Sequence, residues 1–230
     1  MITVISAIMF PSILIIFILL GLNDKYNVLN QRKALKTTSF TKIKEENKPF
    51  YLYLRAFEED GEKYLPSGAN IYDVYEITGK TLESEIADAL PDKLLITVGR
   101  PNEEFPYLGA TRLYIEEIDW REKVEWLITT ATLIFIKPSN TDGLQWELKT
   151  ILKKNLIHKL VISHQFSNFR SKKLNKFYYN ELKYSLLFIC DIEMNNYRSR
   201  SKYSYFTKDL QHHQTRSLNK ILCTLNTNNR

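Results

Sequence analysis

The sequence predicts an α/β domain, a parallel sheet with helices on both faces, preceded by one N-terminal transmembrane helix. Three observations carry this. Residues 2–22 are an apolar run, with no charged side chain before Asp24. Beyond residue 48, short apolar segments suited to strands alternate with segments of helical spacing. Strands that are apolar at every position belong to sheets covered on both faces, the habit of parallel sheets.

The N-terminal run comes first. At about 1.5 Å per residue, a helix over residues 2–22 spans roughly 30 Å, the thickness of the bilayer hydrocarbon. Pro11 falls mid-span, where membrane helices tolerate it. A cleaved signal peptide needs a basic n-region and a small-residue cleavage site; here no Lys or Arg precedes the run, and bulky residues continue to its end. Lys25, Arg32, Lys33, Lys36, Lys42, Lys44 and Lys48 follow it. The positive-inside rule then places the following domain in the cytosol, with the anchor in the inner (plasma) membrane. Residues 23–48 read as a basic juxtamembrane linker or frayed helix, suited to anionic lipid heads.

A core over residues 49–163 follows. Its expected elements are a strand from Phe50 to Phe57, a helix from Thr81 to Leu90, and a strand from Leu94 to Val98. Next come a short strand at Leu113-Tyr114-Ile115, a helix from Trp120 to Ala131 capped by Asp119, and a strand from Thr132 to Ile136. A helix from Leu144 to Lys154 and a strand at Leu160-Val161-Ile162 close the core. Residues 164–230 form a basic extension that completes the sheet or is appended to it. It reads as a helix over 174–187, a strand-like Phe188–Ile192 and a helix over 215–225.

Composition bounds the function. Hydrophobic residues are 44% and aromatics 13% of the 230 residues, the profile of a packed globule. The net charge of +6 is uneven: residues 49–163 carry 13 basic against 19 acidic side chains, and residues 164–230 carry 12 against 4. The positive excess therefore lies in the flanks. The tail, with Lys172, Lys173, Lys176, Arg198, Arg200 and Lys202, reads as a solvated basic face over an aromatic core rather than a nucleic-acid contact. Cys190 and Cys223 are far apart and suggest no disulfide framework. No zinc-type spacing, GxGxxG, P-loop or GxSxG motif is present, and no metal or resident cofactor is expected.

The stretch from Thr132 to Ser163 is the most informative. It reads strand, turn, helix, strand, with Asp142-Gly143-Leu144-Gln145-Trp146-Glu147 opening the helix. Glu147 is thereby set at the carboxyl end of the sheet, where such folds bind ligands. A carboxylate there can stabilise positive charge developing on a sugar or attack it. The hexapeptide resembles the nucleoside 2-deoxyribosyltransferase signature, in which a glycine turn leads to an aromatic residue and the catalytic Glu. The opening YLYLRAF resembles that family's first strand. The layout is also similar to TIR domains: an opening strand ending in a short polar loop (Arg55, Phe57, Asp60), then a Trp- and Glu-bearing helix start. The resemblance covers roughly residues 50–163, with Trp146 and Glu147 adjacent rather than a turn apart as in TIR enzymes.

The resemblance implies a flavodoxin-like core, cleavage of N-glycosidic bonds through Glu147, and NAD as substrate. It further implies self-association and a role in bacterial defence or stress signalling. In that scheme Arg55 and Arg100 hold phosphates, Asp60 belongs to the site loop, and Trp146 or Phe57 packs on ring faces. Each residue also has a plainer reading. Glu147 fits a helix-dipole role and Trp146 core packing. Arg55 fits an ion pair with Glu58 or Asp60, and Asp60 a turn. Two other functions share the same fold: a non-catalytic interaction module at the membrane, and a sensor that binds nucleotide without turnover.

Overall fold

The computed structural model describes residues 37–56, 82–90, 94–99, 109–164 and 171–227. Residues 1–36, which include the expected anchor, lie outside them. Among the described residues, no helix is long and apolar enough to cross a membrane.

Eight strands form one sheet: β1 (Thr37–Thr38), β2 (Phe50–Leu54), β3 (Leu94–Val98), β4 (Thr111–Leu113), β5 (Leu133–Ile136), β6 (Leu160–Ser163), β7 (Tyr203–Phe206) and β8 (His212–Thr215). Their order is β1-β4-β3-β2-β5-β6-β7-β8. β1 to β6 run parallel, with Leu52 of β2 opposite Ile96 on one side and Ile134 on the other. β7 and β8 then add to the β6 edge antiparallel.

The helices are α1 (Phe40–Glu46), α2 (Leu82–Ala89), α3 (Trp120–Thr130), α4 (Asp142–Lys153), α5 (Ser171–Cys190) and α6 (Leu218–Thr227). The alternation of side chains along each strand sends residues to two separate cores. Phe50, Leu52 and Leu54 of β2 meet Ile43 of α1, Val124 and Leu127 of α3, Leu144 and Ile151 of α4, and Leu182 and Leu186 of α5. Tyr51 and Tyr53 of the same strand meet Ile86 of α2 and Leu218 and Ile221 of α6. All five β2 side chains are buried, as a strand covered on both faces requires.

Residues 37–46, expected as linker, instead supply β1 of the sheet and α1 of the core, and three of the expected elements differ. The Phe188–Ile192 segment is not a strand. Residues 188–190 are the last turn of α5, and Asp191 (φ 55°) takes the left-handed conformation that ends a helix. The Ile192 N–H then donates to the Leu186 carbonyl. Asp119 makes no capping hydrogen bond; it is the end of a 3-10 turn and pairs with Lys123 at 2.7 Å. The strand expected at 113–115 lies at Thr111–Leu113, because Gly109 positions its start. At φ +117°, a Cβ on Gly109 would come within 2.6 Å of the α2 backbone at Glu83 and Ser84. Only glycine allows that approach.

The basic extension contributes β7, β8 and α6 to the same sheet and core. It also carries a buried polar cluster between α5 and the antiparallel edge. His164 Nε2 lies 2.6 Å from Ser204 Oγ. The Tyr179 hydroxyl donates to the Asn195 carbonyl at 2.6 Å, and Asn195 donates its backbone N–H to His212 Nδ1 and its side-chain amide to the His212 carbonyl.

Candidate active site

The sheet's connections reverse direction between β2 and β5: the chain leaves β2 toward β3 on one side, and later strands build outward from β5 on the other. In open parallel sheets, a crevice forms at such a point, beyond the carboxyl ends of the strands. A cavity of about 150 Å³ lies there, lined by the ends of β2 and β3 and the first turns of α3 and α4. Tyr53, Arg55, Thr97, Trp120, Gly143 and Glu147 all contribute to it.

Glu147 reaches the cavity because of its place on α4. Leu144, Glu147 and Ile151 follow helical spacing and share the buried face, with Glu147 only 6% exposed. A carboxyl stands where the pattern would otherwise put an apolar side chain. Its Oε2 is buried without a hydrogen-bond partner among the described residues. Burial pushes its pKa up to about 8. This argues against a helix-dipole role. A carboxylate serving the dipole sits exposed in the first turn, where the helix favours its charged form; here desolvation outweighs that effect.

Trp120, the first residue of α3, supplies the aromatic wall, and its Nε1 is also buried without a partner among the described residues. Trp146 stands behind it rather than in the cavity lining. The two rings are 5.0 Å apart at 49°, and the Arg121 guanidinium sits 5.9 Å from the Trp146 ring. Gly143 faces the Trp120 ring, and a Cβ there would lie 3.8 Å from Cη2. The Thr97 hydroxyl donates to the Tyr53 carbonyl at 2.9 Å, tying together the ends of β2 and β3.

Arg55 follows directly on β2 and is held from the α2 side. Its Nε lies 3.1 Å from Glu83 Oε1, and both side chains are almost fully buried. Arg112 of β4 brings its Nη1 within 3.0 Å of Glu83 Oε2 and has no exposed side-chain surface. Glu83 thus joins three segments that are distant in sequence. Its signal was present, as a carboxylate three positions before buried Ile86 on the inward face of α2. Its partners were not legible, since nothing local links residues 55, 83 and 112. Phe57, Asp60 and Arg100, the remaining expected site residues, lie outside the described residues. Of the expected set, the structure therefore brings Arg55 and Glu147 together at the cavity, with Trp146 one layer behind.

The Ser204–His164 pair has the partners of a nucleophile and base but not the environment. Ser204 is fully buried, and burial holds the His164 ring near a pKa of about 3. Such an imidazole does not take a proton at neutral pH. Among the described residues, no group of three or more His, Cys, Asp or Glu side chains is placed to hold a metal ion. The chain matches no family model, no curated protein and no solved structure.

Proposed function

We propose that this chain is a membrane-anchored, TIR-like N-glycosidase with a flavodoxin-like core, hydrolysing the nicotinamide–ribose bond of NAD or a related nucleotide. The observation that carries the reading is the buried Glu147 carboxyl in a cavity at the strands' carboxyl ends, its Oε2 without a hydrogen-bond partner among the described residues. Counting β2 to β6 as strands one to five gives the order 3-2-1-4-5, an open doubly wound order whose reversal, between β2 and β5, is where such folds bind ligands. The cavity has room for a sugar- or ring-sized group, and the rest of a dinucleotide would extend past it.

With its pKa raised by burial to about 8, Glu147 is largely protonated at neutral pH. A pyridinium ring entering a dry cavity supplies the positive charge that draws the carboxyl toward its ionised form. The C1′–N bond then breaks, and its electron pair goes to the ring nitrogen, which leaves neutral. Glu147 stabilises the oxocarbenium-like sugar or forms a transient ester with C1′. Water supplies the hydroxyl at C1′ and gives up a proton. Arg55, fixed by Glu83, stands where a phosphate or a sugar oxygen would approach.

Full-length protein in native membrane vesicles, incubated with NAD, should release nicotinamide, and Glu147→Gln should reduce this on the order of 10³-fold. Equal release by the variant would rule out the mechanism. Because the free site titrates near 8, kcat/KM should rise with pH and level off above pH 8. The competing reading, a non-catalytic interaction module, draws on Ile118 and Phe188, whose side chains are 90% and 84% exposed. It predicts self-association without nicotinamide release.

A further inference from the structure

Glu147 Oε2 and Trp120 Nε1 belong to residues of the cavity wall, and neither has a hydrogen-bond partner among the described residues. The carboxyl has an account in the proposed chemistry, whereas the indole N–H does not. A buried donor left unpaired destabilises the fold. Phenylalanine would supply a comparable apolar wall without that cost. The ring also packs against Trp146, with centroids 5.0 Å apart, and Gly143 faces its Cη2 edge, where an added Cβ would lie 3.8 Å away. A fixed donor on a residue of the cavity wall is how a site selects ligands that bear an acceptor, since a ligand lacking it leaves the donor buried and unpaired.

We infer that Trp120 is a specificity-determining residue of this cavity, donating its indole N–H to an oxygen of the bound sugar. In so small a cavity, a sugar ring meets Glu147 and Trp120 together. The carboxyl takes the side with developing positive charge, and the indole takes an oxygen on the same ring. The inference rests on the nucleotide reading of the site.

The three tryptophans allow a direct test. Full-length protein in detergent micelles, with indole ¹⁵N labelling and Glu147→Gln to prevent turnover, is titrated with NAD. The resonance lost in Trp120→Phe identifies Trp120. Trp126, which packs on Phe40 at 5.1 Å, serves as a control away from the cavity. The Trp120 indole proton should move downfield and saturate with NAD while Trp126 stays in place. Trp120→Phe should weaken NAD binding about tenfold by calorimetry, with the Trp126 and Trp146 resonances retained as evidence of folding. Calorimetric binding of NAD with an unmoved Trp120 resonance, or unchanged affinity in Trp120→Phe, would overturn the inference and leave the nucleotide reading standing. Absence of NAD binding altogether would overturn both.

Discussion

Two regions of this protein bury polar side chains, and they do so in opposite ways. At the antiparallel edge, His164, Ser204, Tyr179, Asn195 and His212 satisfy one another, leaving only His212 Nε2 without a partner among the described residues. At the carboxyl ends of the parallel strands, Glu147 and Trp120 bury polar atoms that bond to nothing described. Desolvation shifts pKa values in both places, lowering His164 and His212 and raising Glu147. A shifted pKa alone therefore does not distinguish a structural cluster from a site. Unpaired atoms in a cavity wall mark the difference: the edge cluster stabilises the fold, whereas on the proposed reading the cavity groups weaken it and stand available to a ligand.

The comparison can be broken first at Glu83, which stands beside the cavity but is fully engaged by Arg55 and Arg112. Glu83→Gln should behave as a structural change and cost about 3–5 kcal/mol in denaturant unfolding, because it leaves two buried guanidinium groups without their shared counter-charge. A neutral effect would mean that the ion cluster does not hold the site.

Glu147→Gln should act in the reverse direction. With its pKa raised, the folded chain retains a proton that the unfolded chain releases above about 4.5. That contribution is complete below pH 4.5 and is lost as pH rises through about 8. The glutamine variant should therefore match wild type at pH 4 and become more stable with rising pH, by on the order of 5 kcal/mol above pH 8. Unfolding measured at pH 5, 7 and 9 checks the trend, and a variant less stable at pH 9 would contradict it.

The edge cluster predicts an acid limb. Burial depresses both histidines, His164 to about 3 and His212 to about 4. Their contribution to stability is present above the unfolded pKa near 6.5 and declines as pH falls below it. His164→Gln should flatten this limb in a thermal-unfolding series from pH 7 to pH 4. The smallest effect is expected for Tyr179→Phe, which removes the donor to the Asn195 carbonyl at about 1–2 kcal/mol, with no change in ligand binding.

The same division explains what could be read from the sequence. The central parallel strands were legible because their burial is local: Leu94 to Val98 and Leu133 to Ile136 are apolar at nearly every position. Glu147 was legible as a candidate from its place after a glycine turn. Its inward direction was also readable, from the helical spacing of Leu144, Glu147 and Ile151. The β7–β8 hairpin was not legible. Its turn spans Thr207 to Gln211 and puts Leu210 at φ 61°, where glycine or asparagine would have signalled a turn. Trp120 was read only as the start of a helix, because its partner in the wall, Gly143, arrives from another element.

Direct titration of the Glu147 carboxyl by ¹³C NMR, in full-length protein with and without NAD, tests the central claim most directly. The account predicts a midpoint near 8 in the free protein and a lower one when the pyridinium occupies the cavity. A midpoint in the ordinary carboxylate range of about 4–5 in both states would contradict it, since Glu147 would then be a solvated or paired side chain rather than a carboxyl held ready for a ligand.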